Sequence, residues 1–389
     1  MNRLPRPLPM PAGPDVLRIL PDLERALAGG DPLLPYAAGS ARPVVAPVDP
    51  AELPTDLAVA VGTSGSTGRP KRALLTSAAL RASARATADT LGGPGAWLLA
   101  MPAAHIAGLQ VLVRSIVAGL APTVVDSRCG FTASGFTTAA AAMPQAGRRY
   151  TALVPTQVGR LLADRDGARA LAGFDAVLVG GAATPLAMRK RAATAGVRLV
   201  LTYGMSETAG GCVYDGAPLP VSRVHVDNDR HVVLGGDTVA RGYLGEPQLS
   251  AAAFSTDSDG VRWFRTDDLG HFEDGRLVLD GRADDVIISG GLKVTPGVVE
   301  DAISRHVPEV LDVVVVGRPD PEWGEVVCAA VTLLDPRSRV TARALRDRLR
   351  GILPDAALPR HALVLSAIPH RGPGKPDRAA IAQEFDQLG

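Results

Sequence analysis

The chain has 389 residues, 46% of them hydrophobic, and a formal net charge of +1 at pH 7. This length favours about two or three domains, and the balanced charge gives no field that would collect nucleic acid or an anionic membrane. Cys129, Cys212 and Cys328 lie far apart without C-x-x-C spacing. Neither a disulfide framework nor a zinc site is therefore indicated, and a reducing cytoplasm is expected.

The first stretch, Met1 to Pro14, is rich in proline and lacks the apolar segment of a signal peptide, so a loose arm is expected there. The most apolar region, 96–125, is interrupted by Pro102, His105 and Arg114. It falls short of the roughly 18 to 20 uninterrupted apolar residues that a membrane span needs. Buried strand and helix are predicted instead.

An apolar run from Leu57 to Val61 precedes a loop of hydroxyls and glycines, TSGSTGRPK at 63–71. Glycines let backbone N–H groups converge, while hydroxyls and a lysine add donors, which suits phosphate oxygens. The spacing differs from G-x-x-x-x-G-K-[ST], because Arg69 and Pro70 follow Gly68, so a kinase or GTPase of that type is not expected. The alternative is an ordinary surface turn. The predicted phosphate-binding residues are Thr63, Ser64, Gly65, Ser66, Thr67, Gly68 and Lys71.

Between residues 57 and 205, short apolar runs alternate with alanine-rich amphipathic stretches, which predicts an α/β fold with mainly parallel strands. The predicted strands are 97–101, 123–125, 152–154, 176–179 and 199–201, and the predicted helices are 77–90, 156–165 and 185–195. Ligands bind such sheets beyond the carboxyl ends of the strands. We therefore expect four turns to converge on one crevice: 63–68, 102–108, 180–183 and 203–208.

From Asp215 to Asp280 the pattern changes to short β segments, which predicts a small β subdomain. After it, a β-α-β-β-α-β order predicts a small, independent α+β domain. The predicted elements there are strands 286–288, 313–316, 326–333 and 362–365, a helix starting at 296 and a helix over 341–350. The predicted organisation is a domain over 1–280, a boundary segment at 281–284 and a domain over 285–389.

Only four of the 41 lysine and arginine residues are lysines: Lys71, Lys190, Lys293 and Lys375. A compact ammonium on a flexible stem differs from the planar guanidinium wherever one point charge must reach a reacting phosphate or carboxylate. Lys71 and Lys375 lie in glycine-containing loops, and Lys293 follows a Gly-Gly pair. These three positions therefore favour function over simple solvation.

Six motifs follow one another along the chain: TSGSTGRPK at 63–71, YGMSET at 203–208, GDTVARGY at 236–243, WFRTDDLG at 263–270, GRADDVIISGGLKVTPGVVE at 281–300 and GPGKPDR at 372–378. On these motifs the chain resembles the adenylate-forming family of acyl-CoA synthetases, peptide-synthetase adenylation domains and beetle luciferases, over about residues 57–378. The resemblance implies that ATP and a small carboxylate give an acyl-adenylate and pyrophosphate. A thiol, usually that of coenzyme A, then displaces AMP to give a thioester.

The resemblance also implies roles for the motif residues. Loop 63–68 and Lys71 hold the ATP phosphates, and Glu207 helps to hold Mg²⁺, a hard ion that takes oxygen ligands beside a triphosphate. The remaining implied nucleotide-binding residues are Gly180, Gly181, Ala182, Tyr203, Gly204, Met205, Ser206, Asp268 and Arg282. Asp267 stands where the family usually has glycine, which leaves the register of the ribose ligand Asp268 open.

By the same resemblance, Lys375 bridges the carboxylate and the α-phosphate during adenylation. Asp284 matches the hinge about which the small domain turns between the two steps. That rotation of the small domain withdraws Lys375 and brings Gly290, Gly291 and Lys293 toward the coenzyme A thiol.

The stretch ALVPTQVGRLL at 152–162, with VGGAA at 179–183, resembles the 2-succinylbenzoate–CoA ligases of menaquinone biosynthesis. That acid is a dianion, so the carboxylate that is not activated needs a polar anchor. His105, Gln157 and Arg160 are the candidates, with His105 at the family's aromatic gate to the acyl pocket. Core packing for His105 and solvation for Arg160 are the alternatives. Another aryl- or acyl-CoA ligase, a carrier-loading adenylation enzyme and a non-catalytic relative also remain open, as does homo-oligomerisation.

Overall fold

The structure, a computed structural model, describes residues 3–45, 48–63, 71–335, 337–370 and 375–387. The chain forms two compact units. The first comprises Met1–Gly181, Ala192–His225 and Val233–Arg265, and the second comprises Ala182–Arg191, Val226–Val232 and Thr266–Gly389. The second unit begins before the segment 281–284, whose role as a hinge stays a prediction.

Helices and strands alternate through most of the described chain, and the α/β class predicted from the sequence is confirmed. The helices are α1 (Leu20–Leu27), α2 (Ser77–Leu91), α3 (Ile106–Ala118), α4 (Ala133–Ala142), α5 (Pro155–Ala163), α6 (Arg165–Ala172), α7 (Leu186–Thr194), α8 (Pro247–Ala253), α9 (Pro296–His306), α10 (Ala342–Leu349) and α11 (Arg378–Asp386). The strands as far as residue 236 are β1 (Arg6–Met10), β2 (Leu33–Ala37), β3 (Leu57–Gly62), β4 (Arg72–Thr76), β5 (Gly95–Leu99), β6 (Thr123–Val124), β7 (Arg148–Leu153), β8 (Ala176–Val179), β9 (Leu199–Met205), β10 (Gly210–Tyr214), β11 (Ala217–Pro218), β12 (Ser222–Val226) and β13 (His231–Gly236). The later strands are β14 (Phe254–Thr256), β15 (Arg262–Glu273), β16 (Arg276–Arg282), β17 (Ile287–Ser289), β18 (Leu292–Val294), β19 (Val310–Asp320), β20 (Gly324–Leu333) and β21 (His361–Val364).

A seven-stranded sheet in the order β11-β10-β9-β8-β7-β5-β6 forms the centre of the first unit. Strands β6, β5, β7, β8 and β9 are parallel, and β10 and β11 are antiparallel at one edge. Strand β8 is buried along its whole length, as expected of a strand covered on both faces. The turns after β5, β8 and β9, predicted to bind ligand, therefore all lie at the carboxyl ends of the parallel strands, on the same side of the sheet.

The N-terminal segment was expected to be a loose arm, and this prediction is wrong. Strand β1 pairs in parallel with β2 at the edge of a four-stranded sheet, β1-β2-β3-β4. Leu8 and Met10 are buried in the core of the unit, while Pro9 is exposed. The prolines are tolerated because β1 is an edge strand, which needs backbone hydrogen bonds on one side only.

The helix predicted over 156–165 also differs from the structure, because it is interrupted at Asp164. Helix α5 ends at Ala163, and the Asp164 carboxylate accepts a hydrogen bond of 2.7 Å from Gly167 N, which caps α6. A short acidic side chain competes with the helical backbone in this way. The other predicted helices, 77–90 and 185–195, match α2 and α7 to within a residue at each end.

The second unit contains a sheet in the order β18-β17-β20-β19, with β21 parallel to β20. One face buries valines of β19 and β20 against α9 and α10, and the other packs on Ile381 and Phe385 of α11. Helix α9 begins at Pro296, as predicted. It lies so close to β16 that a side chain at Gly297 would collide with the Asp280 carbonyl.

The apolar stretch 96–125 forms β5, the 13-residue helix α3 and β6, in agreement with the prediction of buried strand and helix. No helix among the described residues combines the length and apolar composition that crossing a membrane requires.

Strand β1 generates a stability prediction. Leu8→Ala should lower the free energy of unfolding by about 2–5 kcal/mol, because it removes a buried side chain from the core. The matched control is Leu4→Ala, since Leu4 is 45% exposed just before the strand, and it should change stability by no more than about 0.5 kcal/mol. Urea unfolding of both variants is the measurement. If the two variants lower the free energy of unfolding by equally small amounts, the segment is a loose arm and not part of the core.

Candidate active site

The ends of the hydroxyl-rich loop lie on the antiparallel strands β3 and β4. Thr63 N donates to Lys71 O at 2.8 Å and so closes the base of the loop. The predicted ligands Ser64, Gly65, Ser66, Thr67 and Gly68 lie outside the described residues. Thr63 Oγ1 is buried and has no hydrogen-bond partner among the described residues. A buried hydroxyl without a partner is costly, so its position at the loop entrance fits a phosphate oxygen as the partner.

Glu207 is a buried carboxylate that shares a tyrosine with Lys71. Its residue is only 7% exposed, and Tyr243 Oη donates to Oε1 at 2.9 Å. Lys71 Nζ lies over the ring of the same tyrosine, 5.4 Å from the ring centroid. The first unit thus brings together a lysine and a carboxylate that the sequence separates widely.

The arrangement fits Mg²⁺ held jointly with phosphates. Among the described residues no group of three or more His, Cys, Asp or Glu side chains is placed to hold a metal by itself. Magnesium commonly uses one or two carboxylates and completes its shell with substrate phosphates and water. Glu207 near the base of the phosphate loop satisfies that requirement.

Local backbone geometry holds Glu207 there. It lies in a single turn, Ser206–Thr208, between β9 and β10, and Ser206 Oγ donates to Gly62 O of β3 at 2.9 Å. Ala240 N donates to Glu207 O at 2.8 Å. A side chain at Gly204 would collide with the Gly210 carbonyl, so this tight return of the chain requires glycine. The YGMSET motif is therefore tied directly to the end of the strand that leads into the phosphate loop.

The glycines proposed to bracket adenine follow β8, next to Tyr203 on β9. A Cβ at Gly180 would lie 2.5 Å from Thr202 Oγ1, and Gly181 has a φ of +84° that favours glycine. The backbone after β8 therefore requires glycine at these two positions, and the adenine-binding role of the turn stays a prediction. Ala182 belongs to the second unit.

His105 precedes the first residue of α3 and remains exposed. Desolvation by surrounding atoms nevertheless lowers the pKa of the imidazole, which favours the neutral ring at pH 7. Helix α3 is held against the Glu207 turn, because Gln110 Nε2 donates to Ala209 O at 2.7 Å. The neutral ring at the helix start suits a gate beside an acyl group better than an anchor for a carboxylate.

Of the other two proposed acyl contacts, Gln157 is engaged with the backbone. Its Nε2 donates to Ala100 O at 2.9 Å, and its Oε1 accepts from Val154 N at 3.1 Å. Arg160, one turn further along α5, is exposed, and its side chain makes no hydrogen bond or ion pair within the described parts of the chain. Arg160 is thus the better placed of the two to meet a carboxylate.

In the second unit, Arg282 draws three carboxylates together. It lies 2.8 Å from Asp284, 3.4 Å from Asp267 and 3.6 Å from Asp268. Desolvation opposes the charge on Arg282, but these carboxylates outweigh it and raise the pKa of the guanidinium. The Asp267 side chain is 69% exposed and that of Asp268 only 19%, which favours Asp268 as the ribose ligand.

Lys375 lies beside a backbone contact between the residues that flank segment 371–374. His370 and Pro376 form a β-bridge, and Asp377 N donates to Pro369 O at 2.9 Å. The segment Arg371–Gly374 is outside the described residues. Directly after the loop, Arg378 binds Asp285 at 3.1 Å and Glu300 at 2.8 Å. The Lys375 loop is therefore anchored beside the segment predicted to be the hinge.

Of the residues proposed to meet coenzyme A, Gly290 and Gly291 form the turn of the β17–β18 hairpin and Lys293 lies on β18. Gly290 and Gly291 both have positive φ, +55° and +78°, and Lys293 pairs with Ile288 and is exposed. Gly290 N donates to Trp323 O at 2.9 Å, which fixes the turn.

Sequence reasoning did not assign Tyr243 or Arg378. Both end motifs that had been recognised, GDTVARGY and GPGKPDR. Only the fold reveals that one bonds to Glu207 and the other to Asp285.

A buried carboxylate and a lysine that meet on one tyrosine, next to the end of the strand that leads into a hydroxyl-rich segment, fit an enzyme that handles nucleotide phosphates. The comparison with protein families is more specific: the chain belongs to the AMP-binding enzyme family, which matches residues 18–244, and the C-terminal domain of that family matches residues 298–375. The resemblance inferred from the motifs is thereby confirmed.

Individual relatives point to one branch of the family. A protein of Mycobacterium tuberculosis named as a probable 2-succinylbenzoate–CoA ligase is 43% identical over 384 residues, 98% of both chains. The 2-succinylbenzoate–CoA ligase of Escherichia coli is 34% identical over 76% of this chain and 63% of its own length. The structure of a variant of E. coli MenE with bound OSB-AMS has a TM-score of 0.74 and 26% identity, covering 100% of this chain and 89% of that one.

The Tyr243–Glu207 hydrogen bond yields a prediction for nucleotide binding. Tyr243→Phe should weaken the binding of Mg·ATP roughly tenfold, because a buried carboxylate loses its hydrogen-bond donor and its orientation. Tyr150→Phe is the matched control, since that buried hydroxyl donates to Gly93 O at 3.0 Å and takes no part in the site. Calorimetric titration with Mg·ATP compares the two. If the two variants bind Mg·ATP with equal affinity, Glu207 does not take part in nucleotide binding.

Proposed function

We propose that this chain is an ATP-dependent 2-succinylbenzoate–CoA ligase of menaquinone biosynthesis. It would form an acyl-adenylate, transfer the acyl group to coenzyme A, and release pyrophosphate and AMP. The observation that carries the proposal is the 43% identity to the M. tuberculosis relative over 98% of both chains. The partners are a small carboxylate, ATP and coenzyme A.

In the first step a carboxylate oxygen of the acid attacks the α-phosphorus of ATP, and the bond to pyrophosphate breaks. Two anions must approach, so the site has to offset negative charge. Thr63, the 64–68 loop and Lys71 would hold the phosphates, and Asp268 would accept from the ribose hydroxyls. Mg²⁺, when bound by Glu207 and the phosphates, supplies positive charge to the leaving pyrophosphate.

Lys375 would place one more positive charge between the attacking carboxylate and the α-phosphate. The anchoring of its loop supports this role: Arg378 fixes the adjoining helix to Asp285 and Glu300. Asp284, whose carboxylate is bound by Arg282, would act as the hinge. Because Asp285 adjoins Asp284, rotation about the hinge would carry the Lys375 loop along with it.

In the second step the coenzyme A sulfur attacks the acyl carbon, and the carbon–oxygen bond to AMP breaks. The thiol proton leaves to solvent or to the departing phosphate. Gly290, Gly291 and Lys293 would lie against the incoming thiol. The two positive φ angles favour glycine, which puts no side chain in the way of the thiol. His105, neutral at pH 7 because desolvation lowers its pKa, would close the acyl pocket without adding charge.

The second carboxylate of 2-succinylbenzoate would be anchored by Arg160. Burying that charge without a partner would cost several kcal/mol, of the order known for unpaired buried charges. The exposed guanidinium of Arg160 makes no internal ion pair among the described residues, whereas the Gln157 amide is held by Ala100 and Val154. Gln157 would then orient the start of α5 and hence Arg160.

The proposal as a whole is tested by pyrophosphate release over a panel of carboxylic acids, with and without coenzyme A. The expected outcome is a strong preference for 2-succinylbenzoate and thioester formation only when coenzyme A is present. Release with another aryl or aliphatic acid as the best substrate would make the chain a different CoA ligase. Adenylate formation without transfer to coenzyme A would favour carrier loading.

Lys375→Ala should reduce adenylate formation by at least about 100- to 1000-fold, the loss typical of a deleted charge-stabilising donor. Thioester formation from supplied acyl-adenylate should largely survive. Lys190→Ala, at an exposed position of α7, is the control in this lysine-poor chain. Single-turnover assays of each half-reaction measure both. An equal loss in the two half-reactions would contradict this division of roles.

Arg160→Ala should lower kcat/KM for 2-succinylbenzoate roughly 10- to 150-fold, because a charge-assisted bond to the second carboxylate is lost. An analogue without that carboxylate should be a poor substrate for the wild type and lose little more in the variant. Arg165→Ala, an exposed arginine at the start of the next helix, should change neither value. If the wild type prefers the monocarboxylate, the assignment of the acid is wrong.

A further inference from the structure

Arg378, the first residue of helix α11, is held at three points in the second unit. Its Nε lies 3.1 Å from an Asp285 oxygen, and its Nη1 donates to Glu300 Oε1 at 2.8 Å and to Val315 O. Desolvation opposes the charge on this half-buried side chain, but Glu300 and Asp285 outweigh it and raise the pKa of the guanidinium. Arg378 therefore keeps both its charge and its place.

Glu300 completes the arrangement on the open edge of β19. That strand is last in its sheet, so backbone groups that point away from β20 need partners elsewhere. Glu300 Oε1 accepts from Val315 N at 2.8 Å, while Arg378 donates to Val315 O. The arginine and the carboxylate together thus take the place of a neighbouring strand at Val315, which is completely buried.

Local helix preference does not account for an arginine at this position. The first turn of a helix carries partial positive charge on its backbone N–H groups, so a cation there is disfavoured. The cap of α11 is supplied by Asp377, whose carboxylate accepts from Ala380 N at 3.2 Å. Arg378 binds carboxylates of α9 and of the segment after β16, which offsets the unfavourable helix end and indicates a role in tertiary placement.

The two residues between Lys375 and the helix are fixed in turn. Asp377 N donates to Pro369 O at 2.9 Å. Pro376 forms the β-bridge with His370. Lys375 lies immediately before this bridge and three residues before the start of α11, at most about 11 Å away along the chain. The position of the helix start is therefore passed to Lys375 through two anchored residues.

We propose that Arg378 is a positioning residue for adenylation: together with Glu300 it holds Lys375 where the ammonium group meets the α-phosphate. This role rests on the proposed function and adds to it a residue that acts through Lys375. Stabilisation of the transition state depends on placement, and a displacement of about 1 Å can lower a rate about 100-fold. The thioester step does not use Lys375, so it should not depend on Arg378.

Arg378→Gln should lower kcat for adenylation about 10- to 100-fold, because the ion pairs are lost and Lys375 is less well placed. KM for ATP and for the acid, and the rate of thioester formation from supplied acyl-adenylate, should change less than about twofold. Steady-state and single-turnover assays use the acid that the wild type adenylates fastest. Equal losses in the two half-reactions, or a loss confined to KM, would overturn the proposal.

The double variant with Arg378→Gln and Lys375→Ala tests whether Arg378 acts through Lys375. It should adenylate as slowly as Lys375→Ala alone and no slower, since residues that act as one unit have non-additive effects. A further loss of about tenfold or more would mean that Arg378 acts independently of Lys375, contrary to the proposal.

Arg318→Gln is the matched control, because Arg318 of β19 binds Asp386 at the other end of the same helix, at 3.3 Å. Its removal loosens α11 without touching the end that adjoins Lys375, so both half-reactions should be unchanged. If Arg318→Gln slows adenylation as much as Arg378→Gln does, general docking of the helix explains the effect and the positioning role is wrong.

Glu300→Gln tests the same network if Arg378→Gln misfolds. The amide still offers an acceptor to Val315 N but no longer carries the charge that binds Arg378, so adenylation should fall about tenfold while thioester formation survives. Full adenylation in either variant would refute the positioning role alone. A wild type that adenylates none of the acids tested would refute the proposed function, and this role with it.

Discussion

A carboxylate that is buried must be paired, and the arrangement of the first unit meets this requirement at Glu207. The residue lies in the turn between β9 and β10, and its carboxylate is bonded to the hydroxyl of Tyr243, about 36 positions later in the chain. That bond connects the YGMSET turn to the segment around Tyr243, and Lys71 lies over the ring of the same tyrosine. The end of β3, Glu207 and Lys71 are thus held by one network, which rests on a tight strand return that only Gly204 permits.

Helix α3 connects this network to the remainder of the parallel sheet. Its first residue follows His105, its middle binds the turn after Glu207 through Gln110, and its last turns place Arg114 against Tyr214 of β10. Both Gln110 and Arg114 are polar groups in an otherwise apolar helix, and each makes a contact that fixes how α3 lies against β10. Polar residues in a buried helix are expensive, so their presence indicates that they set this position.

Local signals were sufficient to predict the elements of this fold wherever the pattern was strong. The apolar run of β8 was predicted at Ala176–Val179 and is found there, because a fully buried parallel strand gives a continuous apolar stretch. Helix α2 was predicted from its amphipathic pattern, and Thr76 caps its first turn. Strand β1 was missed because its prolines favour coil locally, and its pairing with Leu33–Ala37 is a long-range contact.

The candidate site could be predicted only as far as motifs carry it. The sequence named Lys71 and Glu207, but their common contact with Tyr243 arises from tertiary packing, which spacing along the chain does not encode. The same limit applies to Gln157. Its motif suggested a substrate contact, but in the fold its side chain hydrogen-bonds to the backbone of Ala100 and Val154. Arg114 was noted only as an interruption of an apolar stretch, since its contacts with Trp97 and Tyr214 arise from tertiary packing.

The prolines of β1 have a consequence for how the molecule behaves at high concentration. Arg6 N donates toward the second strand, at Pro32 O, so by alternation the nitrogens of Pro7 and Pro9 face the open edge of the four-stranded sheet. Neither nitrogen carries a hydrogen. An approaching extended chain would find two consecutive donors missing along that edge and could not continue the sheet there. Pro7 and Pro9, which made the segment look unstructured in the sequence, therefore prevent further strands from adding to this edge and so oppose aggregation.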